Sequence, residues 1–276
     1  MQSPPKYVIL KNISFIRGLT AADKIWESNR QEAGWRVLQA PGLWEEITML
    51  EAKGIRKLYH RREILRGVDL KAGPSSCVGI VGSNGCGKTT LLSILAGAQR
   101  ADGGSLMLEG EDLFSHPRRF YDHIAYVPQE NPLIPELTVR DNLSLWYQGG
   151  RKRLEEDLDH GPAAMLGIKP MCGMLVSRLS GGMKKRLSLA CALSNHAPCL
   201  IMDEPGAALD LECKEAIRQY LKVYLQGGGT VILTSHEMDE LAICSELYVL
   251  REGRLHGIGK EQTASSLIAR FHASGE

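Results

Sequence analysis

Disulfide and zinc patterns are missing from this sequence. Its seven cysteines, at 77, 86, 172, 191, 199, 213 and 244, are odd in number, and no two have CxxC spacing. Neither a disulfide scaffold nor a zinc ribbon is expected, and free thiols point to a reducing compartment. Cys191, Cys199 and Cys244 lie inside apolar runs, where a thiol behaves as a small hydrophobe. A long hydrophobic run is missing too: nothing approaches the roughly 20 consecutive apolar residues of a membrane span. The opening "MQSPPKYVILKNISF" holds too short an apolar core, broken by Lys11, for a signal peptide, so the chain is expected in the aqueous phase. Neither sign of charge is in excess, with 33 basic and 32 acidic residues and a net of +1. No global field therefore marks a nucleic-acid binder. Aromatic residues make up only 6%, and Trp26, Trp35 and Trp44 all fall in the first 48 residues.

What is present sorts into regions. Residues 1–48 show no sustained period, and Pro41-Gly42 interrupts them. From Met49 onward the pattern sharpens. "GIRKLYHRREILRGVDL" predicts two short strands meeting at a turn. "CVGIVG" (77–82), "CLIMDE" (199–204) and "VILTSH" (231–236) are short apolar runs, as expected of strands buried on both faces. Between the last two, Ala216, Ile217, Tyr220, Leu221, Tyr224 and Leu225 share one helical face, and glycines 227–229 supply a stop. Strand, helix, strand with buried strands means a parallel sheet covered by helices. Thr138 followed by Asp141 resembles a capping box opening a helix through "VRDNLSLWYQ", and "RLEEDLDH" predicts another. Residues 131–178 are thus expected to form a helical insert in an α/β core. "ELYVLREGRLHGIG" predicts a hairpin turning at Glu252-Gly253, followed by a helix over 260–272.

"GSNGCGKTT", running Gly82, Ser83, Asn84, Gly85, Cys86, Gly87, Lys88, Thr89 and Thr90, contains GxxxxGK[ST] between a buried strand and a helical pattern. The glycines let several N–H groups face one point at the positive end of a helix, which is what a phosphate needs. Lys88 is expected to reach β- and γ-phosphates, and the Thr89 hydroxyl to ligate Mg²⁺. Asp203 and Glu204 end the run "CLIM", at the sheet edge where such folds bind ligands. Asp203 suits an outer contact to Mg²⁺, and Glu204 a base that polarises a water for in-line attack. A second anion site follows at "RLSGGMKKRLSLACAL" (178–193), where Ser180, Gly181 and Gly182 offer a helix cap and backbone amides. It has no carboxylate, no metal ligand and no nucleophile.

These stretches together resemble the nucleotide-binding domain of ABC transporters, over residues 49–276. "YVPQE" matches the family's glutamine loop at Gln129, "LSGGM" (179–183) its signature, "AALD" (207–210) the loop ending in Asp210, and "TSHE" its switch histidine, His236. The resemblance implies a P-loop NTPase (RecA-like) core with a mainly parallel sheet, an N-terminal antiparallel β-subdomain and an inserted α-helical subdomain. It implies MgATP held between two subunits paired head to tail, Ser180, Gly181 and Gly182 of one covering the ATP at the partner's Lys88. It implies that Gln129 contacts Mg²⁺ and the attacking water, and that His236 contacts the γ-phosphate. Tyr59 stands where the family places an aromatic ring against adenine; a core tyrosine is the other reading. The implied role is ATP hydrolysis driving transport, of export type, through a separate membrane permease, with this subunit in the cytoplasm on the inner face of the membrane.

Alternatives stay open at this stage. A soluble ATP-driven switch on ribosomes or DNA is the second functional class. Lys184, Lys185 and Arg186 either favour an arriving phosphate or form a solvated face. Residues 1–48 are either a partner-contacting arm or not native, Met49 being the other plausible start. Two copies of the chain or one copy with a relative satisfy the pairing equally. Met183 and Gly206 depart from the family's usual glutamine and threonine, and "PSSC" (74–77) from its usual Gly-Glu, where a looser turn is expected. Cys86 is expected to be open to oxidants.

Overall fold

A computed structural model describes residues 49–147, 150–207 and 209–258; the segment 1–48 and the helix expected over 260–272 lie outside them. Two antiparallel strands come first, β1 (Leu50–Tyr59) and β2 (Arg62–Ala72). Both are longer than expected. A register shift between Ala52 and Ile55 lets Leu50, Ala52 and Ile55 all stay buried along one strand. His60 and Arg61, with φ of 44° and 76°, make the two-residue turn between them.

β3 (Cys77–Val81) leads through the glycine-rich loop into α1 (Lys88–Leu95). β4 (Gly103–Leu108) and β5 (Glu111–Asp112) complete an antiparallel sheet of order β2-β1-β4-β5. After α2 (Arg118–His123) and β6 (Ile124–Val127) comes the insert, built of α3 (Val139–Ser144), α4 (Gly150–His160), α5 (Pro162–Met165) and two 3₁₀ turns. The Thr138 hydroxyl accepts from Asp141 N–H at 3.1 Å and donates to its carboxylate, so the cap forms as expected. The helix ends at Ser144, earlier than expected, because Tyr147 must turn inward to donate its hydroxyl to buried Asp157.

α6 (Gly181–Ala192), β7 (Cys199–Asp203), α7 (Leu211–Gln226), β8 (Thr230–Thr234), α8 (Met238–Leu241) and the hairpin β9 (Glu246–Arg251) and β10 (Arg254–Gly257) follow. The second sheet runs β10-β9-β3-β8-β7-β6, parallel except for β10. The period of two divides its side chains between two cores. Val78, Ile80, Ile201 and Ile232 pack with Leu91, Leu92 and Leu95 of α1 and with the antiparallel sheet. Val81, Leu200, Met202, Val231 and Leu233 face α6, α7 and the insert. The loop at 74–77 is tied rather than loose: Ser76 Oγ donates to Gly73 O and Ser75 N–H to Gly228 O. Because β3, β8, β7 and β6 all run the same way, their carboxyl ends share one edge. That edge carries Gly82, His236, Glu204 and Gln129.

Candidate nucleotide site

At the end of β3, Ser83, Asn84 and Gly85 are exposed and the loop closes on Gly87, whose φ of 110° is open to glycine alone at low cost. A β-carbon there would also come within 2.8 Å of Ile64. No side chain caps α1, and its first turn holds no acid. The first intrahelical bond runs from Leu91 N–H to Gly87 O, leaving the amides of Lys88, Thr89 and Thr90 ahead of it. Those amides and the helix dipole make an anion cradle. Lys88 is buried and folds over the loop, donating to Gly82 O at 2.8 Å and Ser83 O at 3.3 Å. Thr89 is exposed on the first turn. Cys86 is half-buried, and burial pushes its thiol up against the smaller pull of Lys88.

β7 and β8 set the carboxylates. Asp203 pairs with Thr234 in the ladder, and the Thr234 hydroxyl donates to Asp203 Oδ1 at 2.6 Å. The other oxygen, Oδ2, is buried without a hydrogen-bond partner. That orphaned anionic atom suits a cation or its water shell. No cluster of three or more His, Cys, Asp or Glu occurs among the described residues. Glu204 leaves the strand with φ of 47°, a conformation that costs about 1–3 kcal/mol and must be imposed. Its N–H is held twice, by Thr234 O at 3.1 Å and Thr234 Oγ1 at 3.0 Å.

Three predicted residues meet at the Glu204 carboxylate. Gln129 Nε2 donates to Oε2 at 3.0 Å, and His236 Nε2 stands 3.4 Å from Oε1. The Glu204 side chain is 20% exposed and that of His236 46%, so a base, an amide and an imidazole surround a point that water reaches. Such a group can hold and deprotonate a water.

Ser180, Gly181 and Gly182 are not part of this cluster. Ser180 caps α6, its hydroxyl accepting from Met183 N–H at 3.2 Å, and both Ser180 and Gly181 are exposed. Gly182 is buried instead, 3.1 Å separating its would-be β-carbon from Cys213, whose N–H is capped by Asp210 at 2.7 Å. Its closeness thus serves packing against α7 of the same chain. No hydrogen bond joins residues 180–182 to residues 82–90 among the described residues. Tyr59 is exposed at the end of β1, with Gln99 donating to its hydroxyl and Lys57 Nζ 5.8 Å from its ring centre, so it is no core residue.

At the start of α6 the reading of a solvated face fails for Lys185, while Lys184 and Arg186 are partly exposed. Lys185 is 4% exposed and donates to Pro128 O at 2.9 Å, anchoring the backbone ahead of Gln129. Burial lowers its pKa, and the carboxylates of Asp203, Glu240 and Glu204 oppose that. Thr234 and Glu240 went unnoticed in the sequence, and Lys185 was noticed only as one of three consecutive basic residues; the partners of all three lie far along the chain or on another element.

A glycine-rich loop between strand and helix, with an Asp-Glu pair at the tip of another parallel strand on the same edge, defines a P-loop nucleoside triphosphatase. The family model for ABC transporters matches residues 65–207. A Nod factor export ATP-binding protein I of Ralstonia nicotianae is 36% identical over 220 residues, covering 77% of this chain and 67% of that one. The linearmycin resistance ATP-binding protein LnrL of Bacillus subtilis is 31% identical over 231 residues, covering 81% and 72%. A nucleotide-free ATP-binding cassette superposes with a TM-score of 0.72 at 22% identity, over 81% of this chain and 96% of that one. A dimeric cassette in a post-hydrolysis state with ADP and Pi superposes at 0.67 and 26% identity, over 75% and 97%. The chain belongs to the ABC transporter family, as an ATP-binding and ATP-hydrolysing subunit. The ribosome or DNA switch finds no support among these relatives.

Proposed function

We propose that two copies of this subunit close head to tail around two ATP molecules and drive export through a separate membrane permease. One observation carries the pairing: the chain bears two phosphate-binding elements, and the exposed one, Ser180 and Gly181, makes no bond to the other. Each chain carries both halves, so identical copies suffice.

Within this reading Lys88 and the amides around Gly82–Thr90 hold the triphosphate, with Tyr59 against adenine. Ser180, Gly181 and Gly182 of the partner subunit cover the γ-phosphate, and Asp210 at the start of α7 lines the junction. Thr89, Asp203 and Gln129 would hold Mg²⁺, which when bound offsets charge on the phosphates. The unpartnered Asp203 Oδ2 supports that assignment. Glu204 takes the proton of the attacking water, with Gln129 and His236 orienting the carboxylate and the water.

The permease would dock beside Gln129. Ile134, Leu145 and Trp146 are exposed there, next to a cleft lined by Tyr126, Pro132, Leu133 and Cys191. No helix among the described residues is long and apolar enough to cross a membrane. Attachment to the inner membrane face is therefore assigned to the permease. The names of the relatives, Nod factor export and linearmycin resistance, favour outward transport. Glu204→Gln is the test: turnover is expected to fall ~10²–10⁴-fold, and the variant with ATP should elute as a dimer on size exclusion. A Glu204→Gln chain that stays monomeric in saturating ATP rules the pairing out.

A further inference from the structure

His236 is exposed, and nothing in its own side chain explains why it points at Glu204. The turn beneath it does. Ser235, 1% exposed, donates its hydroxyl to Glu240 Oε2 and accepts from Glu237 N–H at 2.9 Å. Lys214 of α7 holds the Glu237 carboxylate at 2.7 Å. Glu240 lies on α8, its side chain reaching back under the turn. Its other oxygen occupies the place of a side chain at position 206: a β-carbon built on Gly206 would stand 2.0 Å from Glu240 Oε1. Gly206 is two residues past Glu204. One carboxylate therefore wedges between the segment that carries the base and the segment that carries the imidazole. The charged groups acting on it are Glu237 of its own segment, Lys214 of α7 and Lys185 of α6.

We infer that Glu240 is a positioning residue for His236: through Ser235 it fixes the turn that aims the imidazole at Glu204, and Gly206 is the space it needs. Gly206, a departure that carried no meaning in the sequence alone, leaves that space open in this chain. The inference rests on the role proposed above for His236.

The experiment compares ATP turnover, affinity for a fluorescent ATP analogue and Tm across Glu240→Ala, Glu240→Gln, Ser235→Ala and Gly206→Ala. Glu240→Ala should lower kcat by about ten- to a hundredfold, with KM, nucleotide affinity and Tm near those of the parent. Glutamine still accepts from Ser235 and should recover most of the rate. Ser235→Ala should match Glu240→Ala, since each removes one end of the same bond. Gly206→Ala should displace the carboxylate and do the same. The double variant Gly206→Ala with Glu240→Ala should be no slower than either alone, because the clash disappears with the carboxylate. The inference is overturned if kcat is unmoved by Glu240→Ala, if it falls only together with Tm, or if glutamine is as poor as alanine. Losses that multiply in the double variant overturn it too. Should Glu240→Ala fail to fold, the Gln and Gly206→Ala variants carry the same decision. His236→Ala at parental turnover removes the histidine's role and this inference with it. A severe His236→Ala loss beside an unaffected Glu240→Ala removes this inference alone.

Discussion

The carboxyl edge of the six-stranded sheet and the start of α6 are both shaped to meet phosphate, yet they are finished to different degrees. At the sheet edge a cation, two carboxylates, an amide and an imidazole converge from four segments of one chain. At α6 there is a cap, an exposed glycine and nothing that could carry out a reaction. On the proposed pairing, the difference separates the group that carries out hydrolysis from the group that licenses it. In that reading the catalytic group stands ready within one subunit, and its last phosphate contacts would arrive with the second.

The largest effect should come from splitting those two halves between chains. Lys88→Ala and Gly181→Asp are each expected to cost at least about 10²-fold in turnover alone, since each leaves both sites of a dimer incomplete. Mixing the two variants pairs an intact loop with an intact helix start in one of the two sites, and turnover should return. If the mixture stays as slow as its components, the two regions do not complete each other.

A smaller effect sharpens how the regions are joined. Lys185 belongs to the helix that starts at the signature, yet it holds the carbonyl of Pro128 ahead of Gln129. Lys185→Met leaves buried acceptors unpaired, at about 1–3 kcal/mol, and should slow hydrolysis roughly tenfold as Gln129 loses its footing. Urea midpoints and steady-state rates on the same variant check this. Stability lost with turnover unchanged means that the lysine is only a strut.

The smallest effect is a pH dependence. Burial raises the pKa of Glu240 above its ordinary value of 4.5. The folded chain then binds the proton more tightly than the unfolded chain. The stability tied to it is complete below 4.5 and is lost as pH rises through the raised folded value. Glutamine does not titrate. The Tm of Glu240→Gln relative to the parent should therefore be higher near pH 8 than near pH 5. A difference that is flat across that range shows that the carboxyl is not strained by burial.

How much could be read beforehand follows from distance along the chain. The phosphate loop is nine consecutive residues, and its backbone conformation is demanded by its own glycines. The buried strands showed themselves because both of their faces are covered, which leaves little room for polar residues. By contrast, Lys185 meets Pro128 across 57 positions, and the Thr234 hydroxyl meets Asp203 across 31. A lysine among other lysines gives no local sign that it is buried.

The Gly182 contact shows the same limit from the other side. Its glycine was expected for approach to a phosphate, whereas the nearest neighbour is Cys213 of α7.

What the order of residues determined by itself was the set of parts: the loop, the Asp-Glu strand tip, the capped glycine helix and the capping box at Thr138. Each is local, and local backbone preference together with hydrophobic period is sufficient to produce it. Tertiary structure decided which parts meet, and it did so through strand order. With β3, β8 and β7 side by side and parallel, their ends deliver Lys88, His236 and Glu204 to one edge. α6 begins elsewhere, with Ser180 and Gly181 exposed and outside that cluster.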